Sequence, residues 1–315
     1  MNRKAVIFGI KTYKLTNAEK YLFKKYKPWG VILFSRNIKD VLQLKSLTDE
    51  IKKIFNDKNF PILIDEEGGK VSRLNKIIDL SMFSQDFFGR LYVKDKKLLT
   101  NYYKIYVDTV AGILKSVGIN INTVPVLDVR RKNAHNVIGT RSFSKNQSHV
   151  SKIGSLCIKF YEKNKIGTVF KHIPGHGFTK SDSHYKRPII KLNKKKLIKK
   201  DFKPFKFCKS LFGMTAHVIY SVFDDKNVAT HSKIMVKKII REHINFKGIL
   251  ISDDISMKSL KYGVEKNALK ALYSGCNLVL HCNANINEMS RLAKVVPKID
   301  KFTEKKTSHF YKFLG

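Results

Sequence analysis

The chain has 315 residues, 43% of them hydrophobic, enough for a large core in one big domain or two ordinary ones. No apolar run approaches the roughly 18 residues of a membrane-spanning helix, and the N-terminal apolar run after Met1-Asn-Arg-Lys4 is too short for a signal peptide, so a cytoplasmic protein without a membrane partner is expected. Lysine and arginine number 62 against 25 acidic residues, a formal charge of +37 that raises the question of a polyanionic partner.

Short apolar runs alternate with helical patterns along the whole length. Residues 5–9 read as a first strand, followed by a helix opened by Thr16-Asn17-Ala-Glu19. A second strand at 30–34 ends in Ser35-Arg36-Asn37. Residues 40–55 carry Leu44, Leu47, Ile51 and Ile54 at helical spacing. A third strand, 61–65, runs into Glu66-Glu67-Gly68-Gly69-Lys70, and the segment from there to about residue 97 gives no clear signal. A helix is predicted over 98–117, with Gly118 as its stop. The fourth strand, 119–126, leads to Asp128. After a helix at 148–164, residues 166–170 form the fifth strand. A lysine-rich helix is expected at 192–208, then strands at 211–217, 248–253 and 277–282, with helices at 232–243 and up to Gly275 between them.

Eight short, nearly continuous apolar runs, each followed by a helical segment, predict an α/β fold: a single (β/α)8 barrel of parallel strands buried on both faces. A doubly wound open sheet is the alternative, but no G-x-G-x-x-G follows the first strand. No linker or composition shift marks a second domain, so residues 1–315 are expected to form one catalytic barrel.

In such barrels the active site lies at the C-terminal ends of the strands. Those ends carry Arg36 and Asn37, Asp65, Asp128, His172, His217, Asp253 with Asp254, and His281. The richest stretch is Lys171-His-Ile-Pro-Gly-His-Gly-Phe-Thr-Lys-Ser-Asp-Ser-His184, read as a Gly/Pro loop after the fifth strand. His172 and His176 stand four apart, but Pro174 and the flanking glycines forbid the helix that would pair them on a metal, so no metal is expected. Gly68-Gly69-Lys70 lacks the rest of a phosphate loop. Glycosidic-bond chemistry fits better, since it needs a nucleophile or charge stabiliser and a separate proton donor. Asp253, at a strand tip, suits the first role. Asp182 and His184 supply a carboxylate–imidazole pair for the second, the carboxylate fixing the tautomer of a group able to give and take a proton near neutrality.

These residues resemble the signature of the family 3 glycoside hydrolases that are β-N-acetylhexosaminidases. The likeness runs through Gly30-Val-Ile-Leu-Phe-Ser-Arg-Asn37, Ile64-Asp-Glu-Glu-Gly-Gly69, Pro125-Val-Leu-Asp128, Ile138-Gly-Thr-Arg-Ser-Phe143, the histidine loop, Met214-Thr-Ala-His217 and Ile251-Ser-Asp-Asp-Ile-Ser-Met257. The resemblance implies a retaining enzyme without a cofactor that removes β-linked N-acetylglucosamine through a covalent glycosyl-enzyme intermediate. Asp253 matches the nucleophile, His184 the acid/base and Asp182 its partner. Asp65, Arg73, Arg141, Lys171 and His172 match positions that hold the sugar. Single-domain bacterial members act in the cytoplasm on 1,6-anhydro-muropeptides in cell-wall recycling. Departures are Lys70 in place of arginine, Ile173 in place of phenylalanine, and the absence of a proline-rich run in residues 75–86.

Two other functions compete. Phosphorolysis of the same bond is conceivable because a histidine acid/base does not repel an incoming phosphate. A non-catalytic polyanion binder would use the charge itself. However, the lysines are spread over the whole chain with abundant Asn and Ile, which reads as codon bias in an AT-rich genome; no specific nucleic-acid partner is expected. The four cysteines have neither zinc nor redox spacing and read as reduced core residues. A monomer acting on a carbohydrate substrate is the expectation.

Overall fold

A computed structural model describes residues 1–131, 138–179 and 187–315. Its strands are β1 (Lys4–Gly9), β2 (Pro28–Leu33), β3 (Ile62–Ile64), β4 (Ile121–Asn122), β5 (Gly167–Ile173), β6 (Ile189–Ile190), β7 (Phe212–Thr215), β8 (Ile219–Tyr220), β9 (Ile249–Asp254) and β10 (Leu278–His281). Eight of them close into a barrel in the order β1-β10-β9-β7-β5-β4-β3-β2, and β6 pairs with β8 outside it. Every barrel pairing is parallel. The predicted (β/α)8 barrel is therefore the observed fold.

The helices are α1 (Asn17–Tyr26), α2 (Val41–Phe55), α3 (Gln85–Lys94), α4 (Lys96–Ser116), α5 (Gln147–Lys163), α6 (Lys194–Lys200), α7 (Lys203–Phe207), α8 (Val264–Ser274), α9 (Ile286–Val295) and α10 (Lys301–Leu314), with a π-type helix at Met235–His243. Local chemistry sets their ends. Thr16 and Glu19 form a reciprocal capping box on α1. Asp40 accepts from the N–H of Gln43 to start α2. Gly275, at φ 111°, stops α8 in a left-handed conformation that a side chain would disfavour. None of the helices among the described residues is long and apolar enough to cross a membrane.

The structure differs from the elements expected from sequence in three places. β5 continues through Ile173, so Lys171 and His172 are strand residues and not loop residues. The stretch without a clear signal holds α3, capped by the Ser84 hydroxyl, which runs almost directly into α4 through the Asp95 cap. The lysine-rich helix is two short helices, because Asp201 and Phe202 separate α6 from α7 and Pro204 lies in the first turn of the second.

The N-terminal end of the barrel is sealed by α10. Buried Trp29 donates from its indole N–H to Thr307 at 2.9 Å and packs edge-on against Phe212, which in turn meets Phe310. Arg3 pairs with Asp57 and donates to the Tyr311 hydroxyl, which itself donates to Asp57 at 2.6 Å. With this end filled by aromatic side chains, the space for a ligand lies at the opposite end, where the strand C-termini lie.

Candidate active site

At that end, β2, β3, β4, β5, β7, β9 and β10 and the loops following them surround a cavity of about 170 Å³. Its wall includes Asp65, Arg73, Arg141, Lys171, His172 and Asp253, so six of the eight predicted site residues meet in one place. The other two, Asp182 and His184, lie outside the described residues.

The floor is built from the turn after β3. Glu66 is buried, and its carboxylate accepts hydrogen bonds from the N–H groups of Gly68 (3.1 Å), Arg73 (2.6 Å) and Leu74 (2.9 Å) and from the Ser72 hydroxyl (3.1 Å). Burial raises its pKa despite these donors. The bonds fold the Gly68-Gly69 segment back on itself, with both glycines at positive φ, and return Arg73 to the cavity.

Five side chains of alternating sign then cross the floor. Arg73 donates to Asp65 at 3.0 Å. Asp65 also accepts from the Lys171 ammonium and, at 2.6 Å, from the Thr123 hydroxyl. Lys171 reaches Glu67 as well, at 2.7 Å. Glu67 is clasped at both oxygens by Arg141, Nε at 2.8 Å and Nη2 at 2.7 Å. Burial would raise the pKa of both carboxyls. At Asp65 the Lys171 and Arg73 charges reverse that, and at Glu67 the Arg141 and Lys171 charges do, so both lie below the usual carboxylate range. Burial works to deprotonate Arg141, but Glu67 outweighs it and holds its pKa above normal. Arg141 is steadied from behind by α3, where the Gln85 amide donates to the Arg141 carbonyl and to that of Val126.

Beneath the histidine stretch sits Asp128, fully buried. It accepts from His172 Nδ1 at 2.6 Å and from the His176 backbone N–H at 2.7 Å, tying the end of β5 to the start of the following loop. Burial acts to raise its pKa, and His172 outweighs that, leaving it lowered. Burial also pushes His176 down to about 4, so that imidazole is neutral at pH 7.

Across the cavity, β9 delivers Asp253 and Asp254. Asp254 is engaged in structure, accepting from Ser256 Oγ at 2.8 Å and from the Cys282 N–H at 3.3 Å. Asp253 lines the cavity, its Oδ1 accepting from the N–H of Asp254 at 2.8 Å. His217 is a neutral brace: burial lowers its pKa, Nε2 lies 3.0 Å from the Asp254 carbonyl, and Nδ1 lies 2.7 Å from the Thr230 hydroxyl.

Not every strand-end polar residue serves the cavity. Asn37 is buried and donates to the carbonyls of Ile10 and Thr12, and Arg36 donates to those of Ile10 and Cys282. His281 is buried against Glu288 at 2.8 Å. Sequence reasoning missed Glu67, Glu66 and Thr123. Only the first two carried any signal, as the rare acidic pair before Gly68.

One buried acid is badly placed. Asp201 lies against Gly175 and Gly177, where an added Cβ would approach its carboxyl group to 2.8 Å at either glycine. Among the described residues neither of its oxygens has a well-formed hydrogen bond. Burial and the nearby Asp128 push its pKa up to about 8. The folded chain therefore keeps this proton up to about pH 8, whereas the unfolded chain releases it near 4, so folding stability falls as pH rises through that window. Asp201→Asn removes the titration. Thermal unfolding should show the variant matching the wild type near pH 4 and exceeding it by at least about 2 °C at pH 8; an equal gap at both pH values would contradict the burial argument.

Comparison with known proteins agrees with this geometry. The family described as glycosyl hydrolase family 3 N terminal domain matches residues 4–309. A beta-hexosaminidase of Neisseria meningitidis is 34% identical over 288 residues, covering 89% of this chain and 78% of its own. One from Actinobacillus pleuropneumoniae is 30% identical over 284 residues, covering 88% and 81%. The crystal structure of NagZ from Neisseria gonorrhoeae in complex with N-trifluoroacetyl-D-glucosamine superposes with a TM-score of 0.88 at 30% identity, over 98% of this chain and 90% of that one. With a barrel, a charged sugar-sized cavity and this breadth of similarity in agreement, the chain belongs to glycosyl hydrolase family 3 and is a glycoside hydrolase.

Proposed function

We propose that the chain is a retaining β-N-acetylglucosaminidase that removes a non-reducing terminal β-linked N-acetylglucosamine. The observation that carries this reading is the meeting of Asp253 with Asp65, Arg73, Arg141 and Lys171 in one cavity of about 170 Å³, room for a single small polar ligand. Alternating carboxylates and cations suit a sugar, whose hydroxyls both donate and accept. The NagZ complex with a glucosamine derivative supports the same ligand class.

In this mechanism Asp253 attacks the anomeric carbon and forms a glycosyl ester, while the leaving-group oxygen takes a proton from His184. Asp182 holds the imidazole in the tautomer that donates and stabilises its cation. Water then enters, losing a proton to His184, and releases the sugar with net retention. Arg73, Arg141, Lys171, His172 and Asp65 grip the non-reducing sugar so that its anomeric carbon faces Asp253. The physiological substrate in this proposal is a 1,6-anhydro-muropeptide in the cytoplasm, cleaved by a monomeric enzyme that works as one catalytic domain over residues 1–315.

The test is hydrolysis of matched aryl β-glycosides, the N-acetylglucosaminide and the glucoside, with and without phosphate. Selective cleavage of the first with free sugar as product is expected. A sugar 1-phosphate would replace hydrolysis by phosphorolysis, and turnover of neither would overturn the reading. Asp253→Ala should cost about 10³-fold or more in kcat; substantial residual activity would remove Asp253 from the nucleophile role. His184→Ala should slow substrates with poor leaving groups by about 10²–10⁴-fold but activated aryl glycosides much less. Equal losses on both would argue against proton donation by His184.

A further inference from the structure

The alternating row on the cavity floor contains one member that ligand cannot reach. Arg73, Asp65, Lys171 and Arg141 line the cavity, whereas Glu67 lies behind them with a side chain 1% exposed. Both of its oxygens are turned to two of the cations, with Oε1 shared by Lys171 and Arg141 and Oε2 given to Arg141 Nε. These partners come from distant parts of the chain, Lys171 from β5 and Arg141 from the short 3-10 turn at Gly139–Arg141. Asp65 cannot substitute for Glu67. Asp65 is already committed to Arg73, Thr123 and Lys171, and it acts on Arg141 through the longer-range attraction of opposite charges.

We propose that Glu67 is a positioning residue for sugar binding: it holds the Lys171 ammonium and the Arg141 guanidinium at a fixed separation in the cavity wall. Without it, two neighbouring cations would repel each other and lose the carboxylate that both of them contact directly. Lys171 would lean wholly on Asp65, drawing that carboxylate away from the sugar, and the Arg141 guanidinium would lose the bidentate clasp that orients its plane. The effect belongs to ligand binding and not to bond cleavage, because Asp253 is carried by β9 on another part of the wall.

This inference rests on the proposed sugar-hydrolase reading, and the experiment separates the two. Wild type, Glu67→Gln and Glu67→Asp are compared in hydrolysis of an aryl β-N-acetylglucosaminide, with inhibition by free N-acetylglucosamine measured in parallel. Absence of turnover by the wild type would defeat the parent reading. Given an active wild type, Glu67→Gln should raise KM and the inhibition constant together, by about 10–100-fold, with kcat changed far less. Loss of folded enzyme alone would lower apparent kcat and leave KM and the inhibition constant unmoved; that outcome, or no change at all, would overturn the positioning role. If the glutamine variant does not fold, the aspartate variant carries the same readout. It keeps the charge but is one methylene too short to reach both cations, so a smaller joint rise is expected, and wild-type binding in that variant would equally contradict the proposal.

Discussion

The site depends on a constraint that follows from burying charge. Five ionised side chains, Arg73, Asp65, Lys171, Glu67 and Arg141, lie side by side on the floor of the cavity. An ion withdrawn from water is tolerated only where an opposite charge and good hydrogen bonds replace its hydration. Alternation of sign achieves this, because each interior member of the row has an opposite charge on either side. The arrangement also leaves the two carboxylates ionised at neutral pH. A polar ligand entering the cavity therefore meets donors and acceptors that are already oriented, and little reorganisation is needed when it binds.

The barrel makes that row possible. Lys171 and Asp65 are 106 residues apart in the chain, and Arg141 and Glu67 are 74 apart. They meet because β3, β4 and β5 are neighbours in a closed sheet and deliver their C-terminal ends to one rim. The supporting contacts are equally specific. Glu66 shapes the turn that returns Arg73, Asp128 ties His172 to the backbone of His176, and α3 braces Arg141 through Gln85. Asp201 is the exception, a buried acid whose environment favours its neutral form beneath the glycines of the histidine stretch.

The architecture was legible because parallel strands buried on both faces leave short apolar runs, and eight such runs recur along the chain with helical patterns between them. Asp65, Lys171, His172 and Asp253 were legible for a related reason: they sit at or just beyond the ends of such runs, where a barrel converges its strands. Arg73 and Arg141 lie outside any strand and came only through family resemblance. Glu67 was harder. Nothing local distinguishes it from Glu66, yet the first anchors two cations and the second caps backbone amides; the difference is decided by partners far along the chain. The extension of β5 to Ile173 was missed because Pro174 and the glycines suggested an earlier end to the strand. The split between α6 and α7 was hidden by lysines, whose even spread masks amphipathic periodicity.

The charged row is expected to hold one sugar with its anomeric carbon presented to Asp253. The most direct measurement is a crystal structure of the protein with N-acetylglucosamine bound. Ring hydroxyls should lie against Asp65, Arg73, Lys171 and Arg141, with the anomeric carbon facing the Asp253 carboxylate. A sugar bound away from this floor, or one whose anomeric carbon points away from Asp253, would contradict it.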